Sequence, residues 1–209
     1  MTDPRRPRFH CAATVVLLSA AMLVAAGCAH TGRQEHGADA ITEASDAERL
    51  AAPTTAAEMG RRFLKLIGSI KSRDELTPEL IRQVTGIALD EVKPGELITG
   101  VGSGDLGGGW RYMFSFVPES VSRRPGVSVH FQHQEDRWAD MSAICELDFD
   151  DYHDALKAMG FDDTPIHGEI GELREWRYYK SDFVISVVPQ NVVAGQAGRV
   201  CVQAIGTLN

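Results

Sequence analysis

Basic charge is the first thing this chain is short of: 21 Lys and Arg stand against 29 Asp and Glu, a formal net charge of −8. A surface of that sign repels phosphate backbones, which sets nucleic acid aside as a partner. The sequence signatures of common catalytic sites are also missing. No serine sits in a G-x-S-x-G elbow, no lysine strand or H-R-D loop of a kinase is present, and Asp148-Phe149-Asp150 ends in aspartate where a D-F-G motif needs glycine. A long apolar run is lacking too. The uncharged stretch from Cys11 to Cys28 holds 18 residues, many of them Ala, Ser, Thr, Cys or Gly, whereas a membrane-spanning helix takes roughly 20 predominantly apolar ones.

That short stretch has a layout of its own. Arg5, Arg6 and Arg8 precede it, and it ends in Ala25-Ala26-Gly27-Cys28, the order of a charged region, an apolar region and a small-residue cleavage box. It resembles the lipobox of bacterial lipoproteins. That resemblance implies a signal peptide over residues 1–27 and acylation, with palmitate among the chains, of Cys28 as the first mature residue. Ala29, where an aspartate would hold the protein back, implies sorting to the outer membrane, lipid-anchored and facing the periplasm. A twin-arginine export signal fits less well, because Phe9 misses the usual spacing from Arg5-Arg6 by one residue. Removing residues 1–27 takes away three basic residues and one acidic one, leaving a formal charge of −10.

Cysteine is scarce: there are four. With Cys11 discarded and Cys28 acylated, Cys145 and Cys201 remain as an even pair in an oxidising compartment, and a disulfide between them is expected. Closing a loop of that length stabilises a fold by about 4 kcal/mol before strain. Two separately buried thiols are the alternative.

Residues 28–57 read as a disordered tether, rich in Ala, Glu, Thr and Asp and almost free of large apolar side chains. Residues 58–209 have the length of a single domain. Thr55-x-x-Glu58 is a capping box for a helix to about Ser72, with Met59, Phe63, Leu66, Ile67 and Ile70 on one face. Thr77 and Pro78 start a second helix that stops near Gly86. Period-two alternation follows at Val127, Val129 and Phe131 and again at Ala143, Cys145 and Leu147, so both segments are read as strands. Asp150 or Asp151 is expected to cap a third helix ending at Gly160, and strands are expected over 174–179, 183–188 and 199–205. The sum is an α+β domain: a helical hairpin and one further helix on an antiparallel sheet of about six or seven strands. Trp110-Arg111-Tyr112 and Trp176-Arg177-Tyr178 repeat a triplet, which suggests two duplicated units or a coincidence.

The segment GVGSGDLGGGWRY, Gly100 to Tyr112, contains G-x-G-x-x-G. A dinucleotide loop would need a helix next, but WRYMFSFV follows, which is strand. No phosphate ligand is therefore assigned. The glycines are read instead as an exposed hairpin tip, with Ser103, Asp105, Leu106 and Trp110 as candidate partner-binding residues. His130 and His133 fall on opposite faces of a strand and cannot share a metal. Asp150 and His153 make only a lone helical pair, and LDFDDYHD lacks the glycine of a calcium loop, so its aspartates are read as helix caps. Trp110, Trp138, Trp176, Tyr178 and Tyr179 are read as core and cross-strand aromatics ahead of a ligand stripe. No metal, no cofactor and no catalytic set is assigned.

The order helix, helix, meander over residues 58–209 resembles the β-lactamase inhibitor protein family and the small lipoprotein of the outer-membrane barrel-assembly machinery. The lipobox, the acidic domain and the single cysteine pair resemble periplasmic immunity lipoproteins, which protect bacteria from their own secreted cell-wall-degrading toxins. These resemblances imply a protein partner, a lysozyme-like or amidase-like enzyme, blocked by a protruding loop. The alternative is a structural envelope lipoprotein that scaffolds an outer-membrane assembly. Acylation is directly testable. Cys28→Ser is expected to abolish palmitate labelling and to move the protein from the membrane fraction to the soluble one; labelling that persists in this variant contradicts the lipobox.

Overall fold

The computed structural model describes residues 50–91, 100–190 and 199–209. The segments expected as signal peptide (1–27) and as tether, with Cys28, lie outside them up to residue 49. Residues 50–55, counted with the tether, belong to the domain: the Ala51 carbonyl accepts from the Arg62 guanidinium and Pro53 is buried.

Helix α1 spans Ala56–Ser69. Thr55 caps it, its hydroxyl accepting from Glu58 N at 3.1 Å, while the Glu58 carboxylate reaches back to Thr54 N at 3.0 Å. The expected end at Ser72 comes three residues late, because Ser72 is itself the cap of a short 3-10 helix, Arg73–Glu75. Helix α2, Pro78–Thr85, starts on Thr77 and stops at Gly86, whose φ of 74° is a left-handed cap position that glycine occupies without penalty. Helix α3 is Phe149–Ala158. Its cap is Asp148, not Asp150 or Asp151: Asp148 is in an extended conformation and exchanges side-chain bonds with Asp151 in a capping box.

Eight strands follow one another: β1 (Asp90–Glu91), β2 (Gly100–Gly107), β3 (Trp110–Val117), β4 (Gly126–His133), β5 (Asp162–His167), β6 (Leu173–Lys180), β7 (Phe183–Gln190) and β8 (Cys201–Thr207). They form one antiparallel sheet in the order β1-β2-β3-β4-β8-β7-β6-β5. The fold is thus α+β with helices packed on an antiparallel sheet; its eight strands exceed the six or seven expected because β1, β2 and β5 carry no side-chain alternation that marks them in the sequence, while 143–147 drops out.

Two halves, each a helical part followed by a four-stranded meander, meet where β4 pairs with β8. The repeated triplet does not mark this arrangement. Trp110 opens the third strand of the first half, whereas Trp176 lies in the second strand of the other.

Segment 143–147 is not a strand. Met141–Ile144 forms a 3-10 helix capped by Asp140, which places Met141 and Ile144 together in the core. Cys145 follows and is bonded to Cys201 with 5.4 Å between Cα atoms, so the expected disulfide is present.

The core lies between the helices and one face of the sheet. Side chains alternate along each strand, so Trp110, Tyr112, Phe114 and Phe116 of β3, Val127, Val129 and Phe131 of β4, and Ile185 and Val187 of β7 face the helices and are buried. Where α1 meets α3 the fit is close. A β-carbon at Gly60 would overlap the Tyr152 hydroxyl, and that hydroxyl is buried without a hydrogen-bond partner among the described residues. Burial also raises the Tyr152 pKa well above the ordinary phenol value. Tyr152→Phe keeps the ring and removes the unsatisfied group, so stability should hold or rise by about 1 kcal/mol in urea denaturation. Gly60→Ala should cost about 1–3 kcal/mol through overpacking, and less in the Tyr152→Phe background. An equal cost in both backgrounds contradicts this packing.

Candidate functional site

Ser103, Asp105, Leu106 and Trp110 do not share a hairpin tip. Gly100–Gly107 is strand β2, paired along its length with β3 from Gly100↔Phe116 to Gly107↔Trp110. The glycines make room rather than a loop. On the helix side, a β-carbon at Gly102 would overlap Ile87 Cγ2 and one at Gly104 would overlap the Tyr112 ring, so the segment after α2 and a core tyrosine press directly on the backbone of β2. Only Gly107, Gly108 and Gly109 form the turn, with φ of 81°, 59° and 81°. The Asp105 carboxylate accepts from Gly107 N at 2.6 Å and shapes it.

The four candidates separate by face. Leu106 packs against the core, and Trp110 is only 3% exposed, standing edge-on to His133 with ring centroids 5.3 Å apart. Neither is a free apolar anchor. Ser103 and Asp105 point the other way and are exposed.

That other face carries no helix among the described residues. Its side chains line up across the strands in register, Val101, Ser115, Ser128, Gly206, Ser186, Arg177 and Thr164 in one row, and Ser103, Met113, His130, Ala204 and Val188 in the next. Small residues hold the middle. Ser186 and Ala204 sit low enough to be buried by their neighbours, and Ser186 donates to Glu175, which also binds Arg177 at 2.7 Å. These donors bring the Glu175 pKa below its ordinary value although desolvation opposes them. His130 stands exposed on this floor, and desolvation lowers its pKa from the usual imidazole value.

At one end of the sheet the β2–β3 turn meets the loop after β4. Gln134 N donates to Gly109 O at 3.0 Å, which joins the two. The loop is held in shape: Trp138 N donates to Asp136 Oδ1 at 2.8 Å, Ala139 N to Asp136 O at 3.1 Å, and Gln190 Nε2 to Ala139 O at 2.9 Å. It presents Trp138 to solvent, 68% exposed, with the Arg137 guanidinium 4.5 Å from the ring centroid. Reading Trp138 as a core or cross-strand aromatic is therefore corrected. The available signal was the lack of alternation in Gln134–Asp140, an Arg-Trp pair flanked by the turn formers Asp136 and Asp140.

Tyr179 is cross-strand from Val184 but exposed on the open face rather than in the core, whereas the remaining aromatics are structural. Phe149, His153, Trp176 and Tyr178 pack between α3 and β6, with His153 Nδ1 2.9 Å from the Tyr178 hydroxyl. His153 thus meets Tyr178, whose pKa is raised chiefly by burial. Among the described residues no three His, Cys, Asp or Glu side chains converge as metal ligands.

No protein family, curated protein or solved structure matches this chain. The glycine assignment is testable by stability alone. Gly102→Ala should cost about 1–3 kcal/mol because Ile87 cannot retreat from the strand, while Gly108→Asn, at an open left-handed turn position, should stay within about 0.5 kcal/mol. Equal tolerance at both sites contradicts the close approach at Gly102.

Proposed function

We propose that this protein is a periplasm-facing lipoprotein that works as a protein-binding module, an immunity protein or inhibitor of a secreted cell-wall-degrading enzyme. The observation that carries the reading is the uncovered sheet face. An antiparallel sheet normally buries one face, and its other face is free to be exposed to water. Here that face is a shallow floor of small side chains in cross-strand register, bordered by Met113, His130, Val184 and Tyr179. Such a floor admits a convex protein surface closely, and its hydroxyls supply hydrogen bonds without long side chains to immobilise. The acidity of the chain outside its leader supports a basic partner through faster encounter. The lipobox at Cys28 supports a site of action at the envelope.

The test uses the full-length acylated chain in the cell that makes it. Chemical cross-linking followed by affinity capture should recover a cell-wall hydrolase, and the purified domain should stop that enzyme's clearing of peptidoglycan at a one-to-one ratio. Recovery of outer-membrane assembly proteins without such an enzyme would assign the scaffolding role instead.

A further inference from the structure

We propose that Trp138 is the apolar anchor of docking and that the partner receives it in an apolar pocket rimmed by Lys and Arg. The proposal rests on the protein-binding reading and adds the contact point and the partner's chemistry. Three tryptophans are present. Trp110 is in the core and Trp176 is half-buried against α3, but Trp138 keeps most of its surface in water. Burying so large a ring on association releases more water than any other side chain of the loop can, and tryptophan is enriched among the residues that dominate binding energy.

The backbone that carries the ring is also held in place. Asp136 holds the backbone at Trp138 and Ala139, Gln190 ties Ala139 to β7, and Gln134 ties the loop to Gly109. An anchor already ordered loses little conformational freedom on binding. Arg137 over one side of the ring supports its orientation while remaining in water.

Charge around the ring selects the partner. Glu135, Asp136 and Asp140 are exposed on the same loop against the guanidinium of Arg137, while on the adjoining strands exposed Asp105 stands opposite exposed Arg111. A tryptophan set among carboxylates fits a socket with a basic rim. It fits an anionic lipid surface poorly, because the same carboxylates are repelled there.

A photo-reactive amino acid at Glu135, which leaves Trp138 intact, reports contact at the rim in the full-length chain in cells. The same group at His130 reports the open face, and at exposed Arg61 of α1 it reports the helix side. The expected result is a protein adduct from Glu135 whose cross-linked peptide carries Lys or Arg, absent from Arg61. With that protein purified, Trp138→Ala should weaken binding about 30-fold or more at an unchanged melting temperature, and added salt should weaken the wild type further. An adduct from Arg61 or His130 alone, or wild-type affinity for Trp138→Ala, overturns the anchor and leaves the binding function standing. A lipid adduct from Glu135 also overturns it. No protein adduct from any position removes the binding function itself.

Discussion

The seam between β4 and β8 is the constraint on which the rest of the fold depends. It consists of the pairs Ser128↔Gly206, Val129↔Ile205 and His130↔Ala204, and it alone converts two four-stranded meanders into one sheet with one core. The approach is tight, since a β-carbon at Gly206 would overlap the Ser128 side chain. Both ends are pinned. At one end the buried Arg73 guanidinium donates to Pro125 O at 2.8 Å and Arg124 O at 3.3 Å, just before β4, and to Leu208 O at 2.6 Å and Asn209 Oδ1 at 2.7 Å, just after β8. Burial lowers the Arg73 pKa, with nearby Asp182 opposing that loss. A planar group with five donors suits such a junction, and a lysine would leave carbonyls unpaired. At the other end the Cys145–Cys201 disulfide fastens the start of β8 to the segment that leads into α3.

With the sheet closed at its centre, α1 and α3 can share one hydrophobic layer. Val129 and Ile205 form the floor of that layer at the seam, and Met59, Phe63, Tyr152 and Leu156 come down on it from the helices. Among the described residues all helical cover is spent on one face. The opposite face is left with residues of the other parity, which are small or polar at the seam, and the turns at the sheet's end carry the exposed Trp138. Function on this reading comes from what the core does not use.

How much of this was legible follows the strength of local signals. The caps at Thr55 and Thr77, the stop at Gly86 and the alternation in β4 are short-range and chemically specific, and they read correctly. The cysteine pair was legible from the count, once Cys11 and Cys28 are set aside as the lipobox reading expects. Strand β2 was not, because its glycines abolish the side-chain alternation by which strands are recognised, and the reason for them, Ile87 and Tyr112 pressing on the backbone, is tertiary. Segment 143–147 failed for the converse reason: Ala143, Cys145 and Leu147 alternate, but the 3-10 turn places Met141 and Ile144, three residues apart, in the core. Exposure separates Trp138 from Trp110, and exposure is a property of the assembled sheet that no local spacing encodes.

The division of labour between the two faces can be measured by one scan of β3 and β4, reading stability and partner binding for every variant. Substitutions to Ala at Tyr112, Phe114, Phe116, Val127, Val129 and Phe131 should lower stability by about 2–5 kcal/mol. Substitutions to Lys at Met113, Ser115 and His130 should leave stability nearly unchanged and reduce binding. Large stability losses at both sets would mean that the second face is covered as well, and would contradict the division.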